Sequence, residues 1–394
     1  TIDKGIFLVS ATVFIIIISY FLLPALYDKE KIRIQLQNQI LNKYNLEVKL
    51  DKSLRYGLLP RPHFFSEDTI INYQSNEIGR SSNTKISIFF KNFFFSESLS
   101  ISNLIFKKTD FKVNKSNFKF FVKLLNNDKN GQKINFVDSK IFYLDENEDV
   151  IFLTDLKTLN YSYQENYLQK LYSKFKIFNI PVNLNIDHDI DKNKIFTEVD
   201  SHRLRLNIKK NLNYDNEKLE GHIDIAMINK NKKLNYILKN NSLNFDTDDN
   251  QITGKINIKP FYLSSDLRIS RVDLKKMLIN NSIFENILNS EILNNKNLNG
   301  KVNFIIDDVE GINFLEEVKF DVLFEEGEIF INNLKTTFKD SVIINLNEVQ
   351  LIIEDNKLIF AGYITLDFID AMELYAHYQL DRADRKNIKK IKFG

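Results

Sequence analysis

Four acidic residues stand where a cation loop would place them. In "DHDIDKNKIFTE", Asp187, Asp189 and Asp191 fill the first, third and fifth positions of a calcium loop and Glu198 the twelfth. At that spacing alternate carboxylates can converge on one hard cation, closed by a bidentate ligand. Two residues oppose this reading. Lys192 stands where the tight turn of such a loop needs glycine, and Lys194 where an apolar residue belongs. A polar turn between the strands "PVNLNI" and "IFTEV" accounts for the same acids, so no metal and no other cofactor is expected. The five histidines, His63, His188, His202, His222 and His377, are scattered, and His202 and His222 fall beside strand positions that should face solvent. No H-E-x-x-H pair, P-loop, G-x-G-x-x-G or G-x-S-x-G occurs. Without cysteine, thiolate chemistry and disulfides are excluded as well. No acid, base and nucleophile gather in sequence, and the expectation is a protein without catalysis.

Charge narrows the partners further. The chain carries 54 basic and 52 acidic residues, a net +2, whereas a nucleic-acid binder shows a clear positive excess. Lys, Asn, Ile and Phe recur throughout the 394 residues, with 33 Phe. That bias removes the significance of single basic or aromatic runs.

The elements that must position any site begin with "IFLVSATVFIIIISYFLLPAL", residues 6 to 26, which has no charge and fourteen Ile, Leu, Val or Phe. As a helix it spans roughly 30 Å, a bilayer core. The following "LPALYDKEK" lacks the small-residue cleavage site of a signal peptide, so an uncleaved anchor is expected. Lys4 precedes the segment, while Lys29, Lys31 and Arg33 follow it among Asp28 and Glu30. Local charge alone therefore argues against export of the body, although long domains translocate largely regardless of it.

"KIRIQLQNQILNKYNLEVKL" places Ile32, Leu36 and Ile40 at helical spacing, with Leu41 and Tyr44 alongside, then alternates through Leu46, Val48 and Leu50. Beyond it period two prevails. Val318, Phe320, Val322 and Phe324 share one face opposite Lys319, Asp321 and Glu325. Leu204, Leu206 and Ile208 oppose Arg203 and Arg205, and Val349, Leu351 and Ile353 alternate likewise. Such runs are half-buried antiparallel strands. "LEGHIDI", "ITGKINI", "LNGKVNF" and "FAGYITL" repeat apolar-x-Gly-x-apolar-x-apolar, with Gly221, Gly254, Gly300 and Gly362 on the apolar face. A missing side chain there permits a bend, a bulge or close backbone approach. "RVDLKKMLINNSIFENILNSEIL" carries helical stripes, Leu274, Met277 and Leu278, then Phe284, Ile287 and Leu288. One or two helices and a boundary near residue 270 are expected there.

The stretch "NLEVKLDKSLRYGLLPRPHFFSEDTIINY" after an anchor and an amphipathic helix resembles the start of AsmA family proteins, with Leu59, Pro60 and Pro62 carrying the match. "PFYLSSDLRISRVDLKKML", "LNGKVNFIIDDV", "FDVLFEEGEIFINNLKTTF" and "LIFAGYITLDFIDAMELYAHYQL" resemble that family's C-terminal region. The resemblance covers roughly half of the chain, and residues 80 to 200 match only as generic strands. It implies a bacterial inner-membrane anchor holding a periplasmic, elongated and curved antiparallel β-sheet. Such a sheet forms a groove that shelters or conducts phospholipid towards the outer membrane. The expected partners are phospholipid, membrane and envelope proteins, without nucleic acid.

The groove lining would be Val302, Phe304, Val318, Phe320, Val322, Phe324, Ile364 and Leu366. Pro60 and Pro62 would mark a sheet edge or the bend by which strands leave the membrane-proximal helix, since neither donates a backbone hydrogen bond. The expected segments are a stub at 1–4, the anchor at 5–27, an α/β segment at 28–130, central strands at 131–270, a C-terminal region of helices then strands at 271–380, and a basic tail at 381–394. That tail reads as a solvated end or the start of a continuation. The competing reading is a membrane-tethered scaffold or regulator of outer-membrane protein assembly, with a closed β core.

Overall fold

The computed structural model describes the chain apart from residues 1–3, 92, 115, 118–119, 121–132, 146–147, 165–166, 214–219, 228–229, 240–241, 259–260, 274–281, 289, 293–294, 311–314, 355–356 and 386–387. It is mostly β, and its contacts divide it into two compact units, Thr1–Ile177 with Pro181–Val199, and Phe178–Ile180 with Asp200–Gly394.

In the first unit, α1 (Lys4–Leu22) runs into a 3-10 turn at Leu23–Leu26. It is long and apolar enough to cross a membrane, and Val13, Phe14, Ile15 and Ile16 point away from the protein. Helix α2 (Lys29–Tyr44) starts where the Asp28 carboxylate accepts the Lys31 amide and stops at Asn45, whose φ of 54° is left-handed. Ile32, Leu36, Ile40 and Tyr44 recur every fourth residue and are all buried, forming one narrow stripe against the sheet. Leu41, expected beside them, lies a further 100° or so round the helix and is 45% exposed. Another flank of α2 is tied to the segment from Ser96 to Ile101, a 3-10 turn that leads into a strand. Gln35, Gln39 and Lys43 donate to the carbonyls of Ser96, Leu99 and Ile101, and Lys31 pairs with Glu97 at 2.8 Å.

The strands of this unit are β1 (Glu47–Lys49), β2 (Arg55–Gly57), β3 (His63–Tyr73), β4 (Asn76–Ile88), β5 (Ile101–Val113), β6 (Lys133–Leu144), β7 (Val150–Tyr163), β8 (Leu168–Ile177), β9 (Ile180–Asp189) and β10 (Lys194–Ser201). β1 and β2 both pair antiparallel with β3, and β3, β4 and β5 form a meander. β5 and β6 are parallel, after which β6, β7 and β8 resume the antiparallel order. One row of direct partners, Phe64, Ile86, Leu104, Ile134, Tyr161 and Leu171, crosses six strands, and none is more than 6% exposed. These residues and the α2 stripe form one filled core.

A second line across this sheet breaks the pairing. Asp68, Lys108 and Asp138 have φ of 49°, 50° and 49°, and each is skipped by its ladder. A left-handed residue in a strand bends it and leaves backbone groups unpaired. Buried hydroxyls take up those groups. Ser81 Oγ donates to the Lys107 carbonyl at 3.1 Å, and Ser139 Oγ accepts from the Thr109 amide at 3.2 Å.

The second unit contains β11 (Leu206–Asn213), β12 (Glu220–Met227), β13 (Lys230–Lys239), β14 (Ser242–Thr247), β15 (Ile252–Ile258), β16 (Phe261–Ile269), α3 (Ile283–Leu288), β17 (Asn299–Ile306), β18 (Val318–Glu325), β19 (Glu328–Phe338), β20 (Val342–Glu354), β21 (Lys357–Phe368), α4 (Ala371–His377) and β22 (Lys390–Phe393). β11 to β16 form an antiparallel meander, β16 and β17 pair in parallel, and β17 to β22 form a second meander. Each unit thus repeats one plan of meander, crossover, parallel step and meander.

Pairing is mostly antiparallel, and the two parallel steps are an addition to the expected antiparallel sheet. A parallel pair needs a long crossover, which residues 114–132 and 270–298 supply. The expected boundary near residue 270 falls inside the second unit, whose strands on either side pair with each other. Helix α3 covers the second expected stripe, while Leu274, Met277 and Leu278 lie outside the described residues.

Candidate functional site

Alternation along each strand of the second unit gathers its apolar residues on one face. Cross-strand pairing arranges them in rows. The central row is Gly221, Tyr236, Phe245, Gly254, Ser265, Val302, Val322, Ile331 and Val349. On one side runs Ile252, Leu267, Phe304 and Phe320, and on the other Leu238, Leu243, Ile256, Leu263, Gly300, Phe324, Ile329, Leu351 and Phe360.

Five of the expected lining residues come together directly. Val302 faces Val322, Phe304 faces Phe320, and Gly300 faces Phe324. The Phe304 and Phe320 rings stack at 4.8 Å, 9° from parallel. Val318 faces Ile306 in the same ladder. Ile364 and Leu366 sit three strands away, opposite Leu346 and Ile344.

Coverage of this face is incomplete. Tyr236, Val302, Val318, Ile329 and Val349 are buried. Phe245, Phe304, Phe320, Val322, Phe324, Ile331 and Leu366 are half-buried, and Ile364 is 37% exposed. The equivalent row of the first unit is buried in one cluster with the α2 stripe.

The repeated glycines place backbone beside rings. A Cβ on Gly221 would lie 2.9 Å from Tyr236 Oη, one on Gly254 2.5 Å from Phe245 Cζ, and one on Gly300 2.6 Å from the Leu263 carbonyl oxygen. The first two are glycines lying under a cross-strand aromatic ring. Gly362 lies opposite the register shift between Asn347 and Gln350, where the extra residue bends β20.

The opposite face carries several polar pairs beside Ile305, Leu323 and Phe330. Asn303 Nδ2 donates to Asp266 at 2.5 Å, Lys301 pairs with Asp321 at 2.9 Å, and Asn333 donates to the same carboxylate at 2.8 Å. Partial burial opposes ionisation of Asp321, but the bonds from Lys301 and Asn333 prevail and hold its carboxyl below the usual range.

The other candidates scatter. Asp187, Asp189 and Asp191 lie on the β9–β10 hairpin, where Asp189 pairs with Lys192 at 3.1 Å and accepts its amide. No three His, Asp or Glu converge on a cation position among the described residues. His63 packs over Gly57, His188 meets Gln169 at 2.9 Å, His377 lies edge-on to Phe338, and His202 and His222 are exposed. Pro60 and Pro62 form the tip between β2 and β3. Pro60 is exposed, whereas Pro62 is buried and its carbonyl accepts the Ile88 amide at 3.1 Å.

Reasoning from sequence named lining residues on β17, β18 and β21 but missed Tyr236, Phe245, Leu263, Leu267 and Ile331. The same period-two signal marks them, yet only register shows that they continue the rows. This architecture defines a β-rich chain with one N-terminal helix of membrane-spanning length and an extended apolar sheet face. Among known proteins, no family model and no curated sequence matches the chain.

Proposed function

We propose that this is a non-enzymatic, membrane-anchored member of the AsmA-like proteins, in which the apolar face of the second unit shelters or conducts phospholipid. In this reading α1 sits in a bacterial inner membrane, the β units are periplasmic, and lipid moves between inner and outer membrane. The observation that carries it is the contrast in coverage: Phe304, Phe320, Val322 and Phe324 form a contiguous half-buried patch, while the matching row of the first unit is closed. An acyl chain of about sixteen carbons gains roughly 13 kcal/mol on leaving water, at about 0.8 kcal/mol per methylene. That gain is spread over interchangeable apolar contacts, so no one lining residue is essential.

The filled core under α2 favours a second reading for the first unit alone, a rigid scaffold that holds envelope partners. One experiment separates the two for the lipid face. A photo-crosslinking phenylalanine at Phe320 or Phe324 captures phospholipid from membranes, and one at Lys319 or Asp321 does not. Capture from Lys319 and Asp321 alone overturns the lipid reading.

A further inference from the structure

The run "FFKNFFF", residues 89 to 95, has no part in the face above. Phe93 is buried, but Phe90, Phe94 and Phe95 are 61%, 72% and 67% exposed, and Phe89 is exposed too. Water-exposed rings in such density are costly in a folded protein and mark a contact surface.

Their neighbours identify the contact. Phe93 stacks on Tyr20 at 5.4 Å, Phe94 lies 5.2 Å from the same ring, and Phe90 and Phe93 lie 6.4 and 6.1 Å from Phe21. Tyr20 and Phe21 belong to the last turn of α1. Three tyrosines fix this arrangement. Tyr20 Oη donates to the Phe90 carbonyl at 3.1 Å and accepts the Phe93 amide at 3.2 Å; Tyr27 donates to the Phe93 carbonyl; Tyr56 Oη donates to the Phe21 carbonyl at 2.6 Å. The last bond brings the β2–β3 tip to the same place, and its Leu59 is 81% exposed. Exposed Lys91 and Arg61 flank the rings, and Lys43 Nζ lies 5.8 Å from the Phe89 ring. Aromatic rings with cations beside them at the end of a spanning helix suit the boundary between headgroups and acyl chains.

We propose that the Phe89–Phe95 loop, with Leu59, is a second membrane contact that inserts into the interfacial layer of the bilayer crossed by α1. The occupant is lipid because Phe90, Phe93 and Phe94 pack on Tyr20 and Phe21 at the end of a helix long and apolar enough to cross a bilayer. The contact holds the first unit against the membrane at a set orientation instead of leaving it to swing on Leu23–Leu26. The inference rests on α1 spanning a bilayer and is independent of the lipid-sheltering face.

The chain has no tryptophan, so each introduced one is a sole reporter. The full chain carrying Phe14→Trp in α1, Phe94→Trp in the loop, or Tyr172→Trp on the outer side of β8 is reconstituted into phosphatidylcholine and phosphatidylglycerol vesicles. Each set contains lipid brominated either near the headgroup or deep in the acyl chain. Phe94→Trp should shift to the blue and lose most of its emission to shallow bromine, Phe14→Trp should be quenched most by deep bromine, and Tyr172→Trp by neither. Phe14 and Phe94 are exposed, so folding should survive, and far-UV circular dichroism checks it. Quenching of Phe14→Trp alone overturns the proposal, as does a Phe94→Trp shielded from iodide yet insensitive to bromine, which would mean a protein partner. Quenching of neither overturns it together with the spanning reading of α1.

Discussion

Alanine at Gly254 and alanine at Gly221 should differ sharply, although both glycines occupy the same position of the same repeat. At Gly254 a Cβ meets Phe245 Cζ at 2.5 Å and the Ser264 carbonyl oxygen at 2.7 Å. The ring can swing aside, but the carbonyl belongs to β16, paired with β15, and cannot retreat without disturbing that ladder. Overpacking of this kind costs about 1–3 kcal/mol. At Gly221 the contacts are Tyr236 Oη at 2.9 Å and Cζ at 3.2 Å, the far end of a side chain that can pivot. Its small steric cost is offset by the roughly 0.4–1 kcal/mol that alanine saves by restricting the unfolded chain. For a unit of this size about 1 kcal/mol moves the melting temperature by roughly 2–4 °C. The same saving applies at Gly254, so Gly254→Ala should melt up to about 10 °C lower, and Gly221→Ala within about 2 °C of the parent. Far-UV circular dichroism melts of the full chain in detergent provide the measurement. Adding Phe245→Leu to Gly254→Ala should restore only part of the loss, because the carbonyl contact remains. Equal destabilisation at the two sites, or full rescue by Phe245→Leu, would refute the argument.

Two further outcomes follow from the first unit. The Tyr44 hydroxyl is buried without a hydrogen-bond partner among the described residues, and burial pushes its ionisation well above the ordinary range; Tyr44→Phe should raise stability by about 1 kcal/mol, read as a higher denaturation midpoint. Burial and the nearby Lys85 lower the His63 pKa against an opposing bond to the Arg61 carbonyl. The folded state thus binds this proton less readily than the unfolded state, whose imidazole titrates near about 6.5. The stability from neutral His63 is present above that pH and lost as pH falls through it, so the melting temperature should fall less between about pH 7.5 and 5.5 in His63→Gln than in the parent.

Much of the local architecture was legible in the sequence. Ile32, Leu36, Ile40 and Tyr44 announce a helix buried on one stripe, and the alternation in Val318–Phe324 announces the apolar face, because both patterns depend on backbone period alone. The repeated glycines were legible as positions where backbone needs room. The Phe89–Phe95 loop was not, since a chain with 33 Phe masks one more aromatic run. Its meaning appears only when folding sets it beside Tyr20 and Phe21.

Period two tells which residues share a face but not what covers that face. The rows through Phe64 and through Val302 look alike in sequence. One is buried in one cluster with the α2 stripe and the other is left half-covered, and that difference arises from contacts between residues far apart in the chain. The bends at Asp68, Lys108 and Asp138 were equally hidden, since left-handed backbone at non-glycine residues leaves no mark in composition. The parallel steps β5–β6 and β16–β17 were hidden too. A strand's own sequence carries its period and faces but not the direction of its neighbour, which is decided by where the crossover returns the chain.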